Sequence, residues 1–198
     1  MPLQTDISSL VAGASPTRSA GHLSLVGMPG SGKTTLGRTL AAHFGLVFLD
    51  LDQAIEAAAG RGIPQIFATE GEAFFRTLEA QTLRQVLARP GPVVLATGGG
   101  TPCFHQNMAA LNAASLTLWL DVPVPTLAGR LQSAEGAKRP LLAAAGSVET
   151  WLRETLTARS EFYSQARLRC ASAACTLVEV LPLLATAGFP GSGVGAGL

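Results

Sequence analysis

One eight-residue stretch constrains this chain more than any other. Gly27-Met28-Pro29-Gly30-Ser31-Gly32-Lys33-Thr34 fills every fixed position of the pattern GxxxxGK[ST]. It follows a short apolar run, His22–Gly27, and opens the segment Lys33–Phe44, in which Leu36, Leu40 and Phe44 recur at helical spacing. A glycine-rich turn between a strand and a helix is an anion site for two physical reasons. Glycines adopt the backbone conformations that aim successive N–H groups inward as a nest. The helix beyond adds the positive end of its dipole. Gly30, Ser31, Gly32, Lys33, Thr34 and Thr35 are therefore expected to bind the phosphates of a nucleoside triphosphate. Lys33 would reach the β and γ phosphates, and the Thr34 hydroxyl would ligate Mg2+. The motif specifies a nucleotide and leaves the reaction open.

Short apolar runs alternate with helical patterns on either side of this loop. Strands are expected at His22–Gly27, Leu46–Asp50, Pro92–Thr97 and Leu116–Leu120, with a fifth around Ala174–Val178. Helices are expected at Lys33–Phe44, Gln53–Ala59, Ile63–Thr69, Glu72–Ala88, Gln106–Asn112, Pro125–Gln132 and Val148–Arg167. Continuous apolar strands alternating with helices describe a three-layer α/β fold: a central parallel five-stranded sheet with helices on both faces. The right-handed crossover rule then leaves few topologies. The domain is expected over residues 21–187. Residues 1–20, small and polar without a charged-then-apolar leader pattern, read as a flexible extension. Residues 188–198 read as a flexible glycine-rich tail.

Charge is scarce, and that excludes several functions. Lys+Arg number 14 against 13 Asp+Glu, a net charge of +1, so the basic footprint of a nucleic-acid binder is missing, as is a polybasic membrane-binding stretch. No apolar run approaches the roughly 18–20 residues that span a bilayer. Three cysteines, Cys103, Cys170 and Cys175, form no CxxC pair and fit a reduced cytoplasmic chain better than a secreted one. Nothing in the sequence calls for a second copy, and a monomer is expected. With only two lysines and four aspartates, any clustering of charge is informative.

Two of the four aspartates do cluster, as Asp50 and Asp52 at the end of the second strand, where open α/β sheets place ligands. If the strand persists through Asp52, both carboxylates point the same way toward the phosphate loop. Alternatively, Asp50 ends the strand and Asp52 caps a helix beginning at Gln53.

Further blocks follow in order: IFATEGEAFFRTLE (Ile66–Glu79), the glycine run Gly98–Gly100, KRPLL (Lys138–Leu142) and RSEFY (Arg159–Tyr163). Together with the phosphate loop and the aspartate pair, they make the chain resemble the shikimate kinase family from roughly Leu23 to Ala166. The resemblance implies a P-loop kinase fold with a mobile lid. It implies transfer of the γ-phosphoryl of ATP to the 3-hydroxyl of shikimate, with Mg2+, in aromatic amino-acid biosynthesis. By matched position, Asp52, Arg76, Gly99 and Arg159 would hold shikimate, the two arginines on its carboxylate and Asp52 on ring hydroxyls. Asp50 would lie near Mg2+, Arg139 would reach the phosphates from the lid, and Arg130 would pack on adenine. Lys33, Asp52 and Arg139 would be the catalytic residues, Asp52 as general base.

These roles suit the chemistry, since Arg grips a carboxylate bidentately and Asp accepts from hydroxyls. Each has a plainer alternative. Arg76 could pair with Glu72 or Glu79, its i−4 and i+3 neighbours; Arg159 could be a solvated helix residue; the glycine run could be a tight turn. The segment Cys170–Val178 is nearly uncharged and assigns no adenine contact. A kinase for another polyol acid such as gluconate, and a non-catalytic sensor on the same fold, are the competing functions.

Overall fold

The protein is described by a computed structural model covering residues 21–132 and 148–189. Five strands, β1 (Leu23–Val26), β2 (Val47–Asp50), β3 (Val93–Ala96), β4 (Leu116–Leu120) and β5 (Leu168–Cys170), form one sheet in the order β2-β3-β1-β4-β5. Every pairing is parallel, for example Leu25 beside Ala96 on one side and Leu118 on the other. Helices α1 (Lys33–Phe44), α2 (Leu51–Ala59), α3 (Ile63–Leu87), α4 (Asn107–Ala114), α5 (Val124–Gln132), α6 (Val148–Tyr163) and α7 (Leu177–Thr186) accompany them among the described residues. All four residues of β1 and all four of β3 are buried. Successive side chains on a strand point to opposite faces, so both faces of the sheet are covered, and the expected three-layer parallel architecture is present.

The strand order positions the site. From the middle of the sheet the connections run in opposite directions, β1 to β2 on one side and β3 to β4 on the other, which leaves a crevice at the carboxyl ends of the strands. Into that crevice run the loop after β1 (Gly27–Gly32), the end of β2 (Asp50) and the glycines after β3 (Gly98–Gly100). Gly37 on α1 sustains the close packing beneath: a Cβ there would lie 2.6 Å from the Phe48 ring.

Several element boundaries differ from expectation. The fifth strand is Leu168–Cys170, not Ala174–Val178, and the latter segment enters α7 instead. Thr176 and Glu179 form a reciprocal capping box, with the Thr176 N–H donating to Glu179 Oε2 (2.7 Å), and this starts the helix despite the β-branched Thr and Val nearby. The helix α6 ends at Tyr163 rather than Arg167, because the Arg167 N–H turns to the Thr117 hydroxyl (2.9 Å) on β4. The two expected helices from Ile63 to Ala88 join as α3 with a break at Gly71 (φ 79°, ψ 178°). Phe189 is buried with its ring 5.2 Å from Phe44, so packing continues past residue 187. The expected extension before residue 21, the tail from residue 190 on and the expected lid with Lys138 and Arg139 lie outside the described residues.

Candidate active site

The phosphate loop owes its shape to glycine at positive φ: Gly27 (140°), Gly30 (82°) and Gly32 (96°). At Gly27 there is no room either, since a Cβ would lie 2.7 Å from the Leu120 carbonyl oxygen. Lys33 is buried at the start of α1, and its Nζ donates to the carbonyls of Gly27 (2.8 Å) and Met28 (2.9 Å). The ammonium thus sits over its own loop. Thr34 and Thr35 occupy the exposed first turn of α1.

Neither sequence alternative for the aspartates holds in full. β2 stops at Asp50, and α2 begins at Leu51, so the two carboxylates do not share a strand face. The cap is Asp50 itself, not Asp52: its Oδ1 accepts from the Asp52 N–H (3.1 Å). Its Oδ2 accepts from the Thr34 hydroxyl (3.0 Å). One carboxylate therefore ends a strand, starts a helix and touches the phosphate loop. The Thr34 hydroxyl and Asp50 carboxylate are adjacent hard oxygen donors, the kind Mg2+ takes together with water and phosphate oxygens. Among the described residues no group of three or more His, Cys, Asp or Glu is gathered to hold a metal by itself.

Asp52, in the first turn of α2, keeps solvent access but stands in a crowded corner. Surrounding protein strips water from it and Asp50 and Glu79 repel its charge; Lys33 offsets part of this, and Glu56 adds to the repulsion. The carboxyl is pushed up to about 6 from an ordinary 3.8. A carboxylate poised there suits a general base working near neutral pH. Gly98 forms the wall of this corner: a Cβ would come within 3.0 Å of Asp52 Oδ1.

Two arginines converge on the same glycine run from different helices. Arg76 of α3 donates from NH1 to Glu79 (3.0 Å) and from Nε and NH2 to Glu72 (3.2 and 3.0 Å). Both alternative partners are thus engaged, and the guanidinium also lies 4.1 Å over the Phe104 ring. Gly100 keeps the tip of the fork uncovered, since a Cβ there would lie 3.0 Å from both NH1 and NH2. Arg159 of α6 lies against Gly99, with NH1 3.1 Å from where a Cβ would be. One turn further, Tyr163 is fully buried and its hydroxyl donates to the Gly99 carbonyl. Burial pushes that phenol up to about 12, so it remains a donor.

Arg130 on α5 bridges the phosphate loop to the segment after β5, donating to the carbonyls of Gly30 (3.0 Å) and Ala173 (2.7 Å). Arg139 lies outside the described residues. Three parts of the site escape sequence reasoning. Spacing presents Glu79 as a surface partner of Arg76, whereas it is 1% exposed. Thr101 donates to Glu79 Oε1 (2.7 Å), and Tyr163 anchors Gly99; both contacts join residues far apart in the chain. The one signal of its burial in the sequence is that Glu79 shares a helical face with Phe75 and Leu83, at i−4 and i+4.

Sheet order, phosphate loop and crevice place the chain among the P-loop α/β kinases. Solved structures agree: a shikimate kinase from Bacteroides thetaiotaomicron superposes with TM-score 0.77 at 32% identity, covering 85% of this chain and 98% of that one. A shikimate kinase from Acinetobacter baumannii in complex with shikimate gives 0.74 at 34%, covering 86% and 95%. A gluconokinase from Sinorhizobium meliloti shares the fold at TM-score 0.56 and 19% identity, covering 86% and 94%. The family model for shikimate kinase matches residues 29–181, and the chain belongs to that family. Among curated relatives, shikimate kinases of Synechococcus elongatus (44% identical, 80% of each chain covered) and Nostoc punctiforme (46%, covering 74% and 78%) are similar over most of the sequence.

Proposed function

We propose that this protein transfers the γ-phosphoryl group of ATP to the 3-hydroxyl of shikimate, giving shikimate 3-phosphate and ADP. The observation that carries this reading is the convergence of Arg76 and Arg159, from two helices, on the glycine run facing Asp52 and the phosphate loop. Arg76 and Arg159 take the substrate carboxylate, Gly99 lets the ring approach the backbone, and Asp52 accepts from the ring hydroxyls. Asp52 takes the proton of the attacking hydroxyl as its oxygen bonds to the γ-phosphorus and the bridge to the β-phosphate breaks. The backbone from Gly30 to Lys33, with Thr35, holds the triphosphate. Lys33 turns from the Gly27 and Met28 carbonyls to the β and γ phosphates. Thr34 and Asp50 hold Mg2+, which when bound offsets phosphate charge. Arg130 supports the nucleobase end, and Arg139 adds positive charge at the phosphates.

We further propose that the enzyme is cytoplasmic and acts as a monomer; its three cysteines are free thiols, as suits a reducing compartment, and among the described residues no helix is long and apolar enough to cross a membrane. Purified protein with ATP and Mg2+ should release ADP only when shikimate is added, and gluconate should not replace it. Lys33→Ala should lower kcat by at least about a hundredfold. ADP release that is equal with and without shikimate contradicts the assignment.

A further inference from the structure

Thr101 occupies an unusual place for a hydroxyl. It is fully buried in the short 3-10 turn Thr101–Cys103 that follows the glycine run, and it is fastened to α3 at two points. Its side chain donates to Glu79 Oε1 at 2.7 Å. Its carbonyl accepts from the Asn107 side-chain amide (3.0 Å), and Asn107, itself fully buried, accepts through Oδ1 from Arg84 NH1 (3.2 Å). Arg84 stands on α3 beyond Glu79, and its NH2 also donates to the His105 carbonyl (2.8 Å). The polar chain therefore leaves α3 at Glu79, passes through Thr101 and Asn107, and returns to α3 at Arg84.

We propose that Thr101, braced by Asn107 and Arg84, is a positioning residue that sets the specificity of the site for a carboxylate-bearing acceptor. It acts through Glu79. That buried carboxylate has two oxygens with separate tasks, Oε2 on Arg76 NH1 and Oε1 on Thr101. With Oε1 held by a short charge-assisted bond, Oε2 has one direction, and so does the guanidinium it grips. Arginine recognises a carboxylate through a planar fork, so its advantage depends on aim. Displacements of even about 1 Å in a positioning group can cost roughly a hundredfold in rate. The same bracing ties the glycine run to the helix that carries Arg76, fixing the two walls of the acceptor site relative to one another. Gly98 allows this closeness: a Cβ there would meet Thr101 Oγ1 and Asp52 Oδ1 at 3.0 Å and Glu79 Oε1 at 3.4 Å.

The inference rests on the assignment of Arg76 to the substrate carboxylate, and the test separates the two. The quantity read is the ratio of kcat/KM for shikimate to that for its methyl ester, which lacks the anionic end. Thr101→Val keeps the shape and removes the donor. It should lower the ratio by about tenfold, chiefly through the shikimate KM, with the ATP KM within about twofold of wild type. Thr101→Ser, which restores the hydroxyl, should return the ratio to within about twofold. An unchanged ratio in Thr101→Val, or parallel losses for ATP and shikimate that serine does not rescue, overturns the inference. Should the valine variant fail to fold, Arg84→Met at the exposed end of the chain should lower the ratio by about threefold, and an unchanged ratio there overturns it equally. Arg76→Ala is the control: if it leaves the ratio unchanged, the assignment of Arg76 itself falls. If Arg76→Ala collapses the ratio and Thr101→Val does not, only the positioning role falls.

Discussion

Asp52 shows how a single residue carries opposing demands. Protein crowding and the charges of Asp50 and Glu79 raise its carboxyl to about 6, which disfavours the ionised form in the folded state. In the proposed role of general base it must nonetheless be ionised, so kcat/KM should fall on the acid side with a midpoint near pH 6. Stability should run the other way. A carboxyl whose folded value is raised costs stability above pH 6, and the cost is relieved as pH falls from about 6 toward 3.8. Asp52→Asn should therefore melt higher than wild type at pH 7.5, by about 1 kcal/mol once solvent screening is allowed for, while phosphoryl transfer is largely lost. A flat pH profile between 5 and 7, or a variant less stable than wild type at pH 7.5, counts against this account.

Elements are set by a few such residues. Gly71 breaks α3 at φ 79° and ψ 178°, a conformation held almost only by glycine, and an added Cβ would touch nothing within 4 Å. Gly71→Ala thus isolates backbone strain, and should cost about 1–3 kcal/mol, lowering Tm by roughly 2–10 °C. The bend separates the half of α3 carrying Phe67 from the half carrying Arg76 and Glu79, so the shikimate KM should rise with little change for ATP; calorimetry and initial rates check both. β1, β3 and β4 are legible because buried parallel strands are continuous apolar runs. β5 is not: it has three residues, its middle one is the exposed Arg169, and among the described residues it pairs with β4 alone. The helix after it carries its own start signal in Thr176 and Glu179, but Leu177 and Val178 between them have the apolar character of a strand. Asp50 and Asp52 are visible as a pair, but which of them caps depends on where β2 stops pairing with β3, a contact between adjacent strands far apart in the chain.

At the scale of the molecule, near-zero net charge conceals a concentrated site. Two of four aspartates and one of two lysines meet where β1, β2 and β3 end, and Arg76, Arg130 and Arg159 close around them. The phosphate loop and the aspartate pair are legible from motif and spacing, whereas Arg76 and Arg159 are named only through the family resemblance. The contacts that orient them, Glu79 with Thr101 and Tyr163 with Gly99, arise only when α3, α6 and the glycine run come together. The central claim is that this convergence is the acceptor site. A crystal structure with ADP, Mg2+ and shikimate tests it most directly. The account predicts the shikimate carboxylate between Arg76 and Arg159, the ring against Gly99, and a ring hydroxyl on Asp52. A carboxylate bound away from both arginines, with Asp52 facing no hydroxyl, would contradict it.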